Sequence, residues 1–329
     1  MVDGHSAERS EIRRIGVIGL GSIGLRMLGG IAAHSGFAAV LVWDPSPSAC
    51  ARALAAHPDL AIAANADEVI NSSDVDLVYI ACPPRFHREH ALTAIEARKP
   101  ILCEKPLGVD LDESRDLVRR VEQSGLVNAV NLLYASARAS HDLGIALEAG
   151  ELGAIAWVDI HLHLPNWAAR RYGEAPWLAQ RAQGGFIREV TTHGMFLCQR
   201  LFGEVTLQSS RIDFPADGIS AERFAAVRLD ASGVPITITG TTHGAGPEVQ
   251  LITFWGERRS MRIRDLHTLE IASGDHWSAA YPAPGNVEID TYTRQLDNLA
   301  AALDGQANTL ANFRSALATQ ELIESILSS

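Results

Sequence analysis

The sequence predicts an α/β fold in two parts, a doubly wound parallel sheet followed by an α+β domain with a largely antiparallel sheet. Three observations predict it. From Arg14 to about Val130, short apolar runs alternate with amphipathic stretches, as in successive strand-helix units. Beyond Val130, period-two patterns follow one another closely enough for hairpins or meanders. The length of 329 residues corresponds to about two domains at roughly 150 residues each. One domain is therefore expected at residues 1–130, with 1–12 as a flexible tail, and the second at 131–329.

Six strands are expected in the first part, over Ile15–Ile18, Val40–Trp43, Leu60–Ile62, Leu77–Ala81, Ile101–Cys103 and Val127–Val130. Continuous apolar runs of this length suit strands buried on both faces of a parallel sheet. Helices are expected between them over Ser22–His34, Ser46–Ala56, Arg85–Ala97 and Leu111–Ser124, the last with Asp110 or Asp112 as its cap. In the second part, a helix over Ser140–Ala149 should stop at Gly150, the residue type that best tolerates the left-handed C-terminal position. Strands follow over Ala156–Leu164, Thr206–Ile212, Arg223–Leu229, Pro235–Thr241, Val249–Phe254 and Ser260–Arg264. Helices over Asp290–Leu303 and Asn312–Leu327 close the chain. With no repeat, low-complexity tract or long linker, the second domain is expected to sit directly on the first.

Composition narrows the functional classes. Apolar residues make up 47% and charged residues 20%, as in ordinary soluble proteins. Asp plus Glu number 39 against 28 Lys plus Arg, and the net charge of -11 argues against nucleic acids or anionic membranes as partners. The four cysteines, Cys50, Cys82, Cys103 and Cys198, form no C-x-x-C pair, so neither disulfides nor a metal site are expected and a reducing cytoplasm is the expected location. The polar N-terminal stretch lacks the apolar core of a signal peptide, and no apolar run approaches the roughly eighteen residues that span a bilayer. Of the 28 basic residues 26 are Arg, and only Lys99 and Lys105 are Lys. Lys99 precedes a strand and is expected in solvent, whereas Lys105 follows one.

Gly19-Leu20-Gly21-Ser22-Ile23-Gly24 follows the first strand and opens an amphipathic helix. This is the context in which G-x-G-x-x-G marks a Rossmann dinucleotide site. Gly19 permits the tight turn, Gly21 admits a pyrophosphate close to the backbone, and Gly24 allows helix and strand to meet closely. The amides at the helix N-terminus, from Ser22 and Ile23 onward, then face the phosphates. Asp44, at the end of the second strand, is placed to accept from the adenosine ribose hydroxyls and to repel a 2′-phosphate. NAD is thus favoured, with NADP possible through Ser46, Ser48 or Arg52. A helix cap is the alternative role for Asp44.

The fourth strand ends in Ala81-Cys82-Pro83-Pro84-Arg85-Phe86-His87 and the fifth in Cys103-Glu104-Lys105-Pro106-Leu107, both at the carboxyl edge where open α/β sheets bind ligands. Together with Gly19 to Gly24, these segments resemble the dinucleotide-binding domain of the Gfo/Idh/MocA oxidoreductase family, which includes glucose-fructose oxidoreductase and inositol 2-dehydrogenase. The resemblance continues through Gly150-Glu151-Leu152-Gly153 to Gly184-Gly185 and His193. It implies that Cys82, Pro83, His87, Glu104 and Lys105 join the glycine turn in holding a nicotinamide cofactor, and that the substrate is a sugar, cyclitol or related small polyol. A homodimer or homotetramer is also implied, paired through the open face of the second sheet.

By the same resemblance, Lys105 lies beside the substrate oxygen and the nicotinamide. An ammonium there can hydrogen-bond the reacting oxygen, and desolvation can lower its pKa toward proton-transfer range. The family also places a carboxylate and, four residues on, a histidine on one helix of the second domain, and here Glu189 and His193 have that spacing, about one turn. His193 is the candidate general base, or acid in the reductive direction, because imidazole titrates near neutrality. Glu189 would orient that ring or hold a substrate hydroxyl, though the same spacing also describes an ordinary i,i+4 helix pair. Two positions depart from the family pattern: glutamate replaces the usual aspartate, and the stretch Asn131-Leu132-Leu133-Tyr134-Ala135 lacks an Arg often found after the sixth strand.

His161 and His163 alternate on one strand face and fit a half-exposed surface better than a metal site. Trp167, Arg170, Arg171, Tyr172 and Trp177 suit either a lid over a polar ligand or an oligomer contact. Redox-assisted elimination or glycoside hydrolysis with retained NAD is the alternative chemistry on this fold. A nucleotide-sensing regulator is the non-enzymatic alternative, against which the presence of both Lys105 and His193 argues.

Overall fold

A computed structural model describes residues 12–165, 167, 175–282 and 285–329. The expected tail at 1–12 lies outside them except for Ile12, as do Arg170, Arg171 and Tyr172. The first part builds β1 (Arg13–Ile18), α1 (Ser22–Ala32), β2 (Phe37–Trp43), α2 (Pro47–Ala56), β3 (Ala61–Ile62), α3 (Ala66–Asn71), β4 (Leu77–Ile80), α4 (His87–Glu96), β5 (Ile101–Cys103), α5 (Leu111–Ser124) and β6 (Asn128–Val130). All pairings in the resulting sheet are parallel, in the order β3-β2-β1-β4-β5-β6. The order reverses at β1 and β4, which opens the crevice that the glycine turn enters. Asp110, rather than Asp112, caps α5, accepting from Glu113 N at 2.9 Å. The sequence reading lacks α3, a six-residue helix capped by Asn65 and too short to show a helical period.

The second part continues with α6 (Arg138–Glu148), β7 (Ile155–His163), α7 (Thr192–Phe202), β8 (Val205–Asp213), β9 (Phe224–Ala231), β10 (Val234–Thr241), β11 (Val249–Gly256), β12 (Met261–Arg264), β13 (Thr268–Ser273), β14 (His276–Ala279), α8 (Val287–Leu303) and α9 (Phe313–Ser328). Its eight strands run in the order β14-β13-β12-β11-β7-β10-β9-β8, antiparallel except for the β7-β10 pair. The sequence reading missed β13 and β14, an edge hairpin whose last strand is largely exposed and therefore lacks an apolar alternation. On β7, Val158, Ile160 and Leu162 point into the core while Trp157 and His161 face out, the period-two division of a sheet with one covered face.

The chain then returns to its beginning. Tyr292, Leu296 and Leu299 of α8 share a buried cluster with Ile15, Val17, Met27 and Leu28 of the first part. Gly30 of α1 makes this contact possible, since an added Cβ would lie 2.6 Å from the Tyr292 Cβ. The segment before α9 is pinned to the first sheet by Val130 N, which donates to Ala311 O at 2.7 Å. Lys99 is not solvated as expected: its half-buried ammonium donates to Ser72 O at 3.1 Å and to Val75 O, closing the end of α3. All four cysteines are free thiols. Among the described residues, no helix is long and apolar enough to cross a membrane.

Candidate active site

β1 delivers the chain to Gly19, whose φ of +99° lies in the left-handed region and whose added Cβ would meet Ala81 and Cys82 backbone at 2.6 Å. One turn later an added Cβ on Gly24 would stand 2.1 Å from Gly19 O, so α1 begins pressed against the turn. Gly21 has nothing within 4 Å of an added Cβ, and Gly21 and Ser22 are exposed. No side chain caps α1, which leaves its first amides and the positive end of its dipole for a ligand. These features fit a bound pyrophosphate. Asp44 ties the turn to the next helix: one oxygen accepts from Leu20 N and the other from Ser46 N, both at 2.8 Å. The cap of α2 is Ser46 itself, so Asp44 retains lone pairs for ribose hydroxyls.

At the ends of β4 and β5, two of the predicted residues are buried and brace the strand ends. His87 is fully buried, with Nδ1 at 2.9 Å from Pro106 O and Nε2 at 2.8 Å from Cys82 O, so it links the two strand-end turns. Burial lowers its pKa to about 4, and in the neutral form that this favours the single N–H donates to one of the two carbonyls at a time. Glu104 is also buried, accepting from the Tyr79 hydroxyl at 2.5 Å and from Asn131 Nδ2. Burial pushes its carboxyl up against those bonds. Cys82 and Pro83 remain half-buried beside the glycine turn, and burial pushes the Cys82 thiol up to about 12.

Lys105 points the other way, toward the second part. Its Nζ donates to Glu189 O at 3.0 Å and forms an ion pair with Glu189 Oε2. Glu189 does not sit on an ordinary α-helical turn, because Ile187–Thr191 winds as a π-helix that runs into α7 at Thr192. Its carboxylate is directed to Lys105, where the sequence offered His193 as a partner, and its other oxygen is buried without a partner. His193 is 5% exposed, lies edge-on to Tyr134, and has Nδ1 buried without a partner. Burial, then the Lys105 charge, then His267 hold its pKa well below the ordinary value. Against the expectation that His193 titrates near neutrality, the same burial that favours the neutral ring also weakens it as a base.

Lys105, Glu189 and His193 line one cavity of about 210 Å³, together with Ile23 and Glu104. The glycines, Asp44, Cys82, Pro83 and His87 lie outside its lining, on the turns that lead to it. The sequence reading did not single out Arg26, Gln250, Asp265, His267, Glu288, Thr291 or Tyr292, which also line the cavity. Gln250 had a signal, as a polar residue within the apolar run of β11. The α8 residues had none, because only the return of that helix onto α1 brings them here. His161 is exposed and His163 is spent on the carbonyls of Pro247 and Gly244. Trp167 Nε1 donates to Leu178 O at 3.2 Å.

Residues 13–132 match the model of an oxidoreductase family with an NAD-binding Rossmann fold, and residues 143–262 match the Gfo/Idh/MocA C-terminal domain. Similar proteins include 1,5-anhydro-D-fructose reductase of Ensifer adhaerens, 32% identical over 39% of this chain and 38% of that protein. Inositol 2-dehydrogenase 2 of Paenarthrobacter aurescens is 27% identical over 95% of this chain and 96% of its own. The first-matched curated relatives align over only 35% to 41% of their own length. The fold is shared with the WlbA dehydrogenase of Bordetella pertussis, solved with NADH and UDP-GlcNAcA, at a TM-score of 0.80 and 22% identity over 97% of this chain and 95% of that one. With the glycine turn, the Glu104-Lys105-Pro106 strand end and both family domains in sequence, the chain belongs to the Gfo/Idh/MocA family of oxidoreductases.

Proposed function

We propose that the protein is an NAD(P)-dependent oxidoreductase that moves a hydride between nicotinamide C4 and a carbinol or carbonyl carbon of a sugar, cyclitol or related small polyol. The observation that carries this reading is the convergence of Lys105, Glu189 and His193 on one cavity that also touches α1 of the nucleotide-binding turn. Bound NAD(P) supplies the hydride acceptor or donor. The Lys105 ammonium donates a hydrogen bond to the substrate oxygen, favouring the alkoxide that forms as the O–H proton is lost and becomes the carbonyl as hydride leaves. Neutral His193 takes the hydroxyl proton during oxidation and returns it during reduction. Glu189 holds Lys105 in position and offers its second oxygen to a substrate hydroxyl.

Residues 1–130 hold the nucleotide in this reading, and 131–329 form the substrate and oligomerisation domain. NAD is preferred because the Asp44 carboxylate repels a 2′-phosphate. A homodimer or homotetramer forms through the outer face of the second sheet, where Trp157, 41% exposed, stacks on Trp255 at 5.2 Å. The protein works in the cytoplasm, without nucleic-acid or membrane partners. The test is the absorbance of reduced nicotinamide when purified protein meets NAD or NADP and a panel of sugars, inositols and sugar acids. Turnover of a polyol supports the reading; nucleotide binding without turnover of any panel member refutes it.

A further inference from the structure

Resting on this oxidoreductase reading, we propose that Glu222, outside the cavity, is a positioning residue that sets Glu189, and through it Lys105, by holding the first amide of the π-helical turn. Glu222 Oε1 accepts from Ile187 N at 2.8 Å, and Ile187 begins the five-residue turn that carries Glu189. The carboxylate comes from a different part of the chain, just before β9, and is only 2% exposed. Its own segment is tightly fixed: Ala221 N donates to Ala179 O and Arg223 N to Asp213 O, each at 2.8 Å.

The same arrangement accounts for Gly185 of the Gly184-Gly185 pair, which the proton-transfer scheme leaves without a role. Gly185 has φ +102°, and an added Cβ would stand 2.3 and 2.5 Å from the two Glu222 oxygens. The glycine therefore makes room for the carboxylate. Gly185 O in turn accepts from Glu189 N at 3.0 Å, so the peptide beside Glu222 also holds the backbone of Glu189. Arg188 anchors the outer side of the turn, donating to both carboxylate oxygens of Glu324 on α9 at 2.6 and 2.7 Å. A turn widened to π geometry interrupts the ordinary i to i−4 ladder, of which the Glu189 N to Gly185 O bond remains. Here its position is supplied from outside, by Glu222 on one side and Glu324 on the other.

The hold needs an acceptor, not a charge, so Glu222→Gln should keep it while Glu222→Leu and Gly185→Ala should lose it. Hydrogen exchange of the intact protein reads the turn directly, without requiring turnover. The amides of 187–191 should exchange at least tenfold faster in Glu222→Leu and Gly185→Ala and within threefold of wild type in Glu222→Gln. Steady-state kinetics with NAD and myo-inositol should show kcat falling about tenfold or more in the first two variants, with NADH binding unchanged and Glu222→Gln close to wild type. Unchanged exchange in Glu222→Leu, or equal losses in the Gln and Leu variants, would overturn the proposal. Absence of polyol turnover in the wild type would overturn the enzyme reading instead, leaving the exchange data to decide whether Glu222 holds the turn.

Discussion

The Lys105–Glu189 ion pair joins the two halves of the site and makes a strong energetic prediction. Lys105→Met removes the ammonium with little change in side-chain length and leaves a carboxylate only 8% exposed without its cation. Breaking a buried pair from one side costs about 3–5 kcal/mol. The opposite change, Glu189→Gln, should cost less, about 1–2 kcal/mol, because Lys105 is 15% exposed and keeps its bond to the residue-189 carbonyl oxygen. In the double variant no charge is stranded, and stability should return close to that of Glu189→Gln, a coupling of about 3–5 kcal/mol. Urea unfolding midpoints of the four proteins at pH 8 give the cycle. Additive effects would refute the assignment of this pair as a desolvated link.

Three further outcomes follow from other residues. Burial pushes the Glu222 carboxyl up from 4.5 to about 7, so the folded state holds an extra proton and this group's contribution is present below pH 4.5 and lost as pH rises through about 7. The loss is of order 3 kcal/mol, and urea midpoints of Glu222→Gln should be flatter than wild type across that window. Gly24→Ala drives a Cβ against Gly19 O, a backbone atom that cannot turn aside, and should weaken NADH binding at least about tenfold in a fluorescence titration. Asp44→Ala removes two 2.8 Å bonds from the backbone and the charge facing the ribose, so the ratio of NAD to NADP affinity should fall when both are measured by calorimetry.

Most of the first sheet was legible because parallel strands buried on both faces leave continuous apolar runs, as at Leu77–Ile80 and Ile101–Cys103. Short or half-exposed elements left no such pattern, which is why α3, β13 and β14 were missed. Of the site, Lys105, Glu189 and His193 could be read from spacing and resemblance, but their mutual arrangement could not. A π-turn changes the angle at which Glu189 projects, and nothing in the period of Ile187–Thr191 announces it. Burial decided the rest. It holds the His193 ring neutral and fixes Glu104 and His87 as buried braces of the strand ends, and burial is a property of tertiary packing.

The central claim is that Lys105 acts on the substrate oxygen, over and above any share it has in holding the nucleotide. Its most direct measurement compares wild type and Lys105→Met in polyol-dependent reduction of NAD, with NADH binding titrated in the same preparations. The account predicts that the variant loses about 100-fold or more of its turnover while NADH affinity is retained. Equal turnover in the two proteins, or loss of NADH binding that accounts for the whole defect, would contradict it.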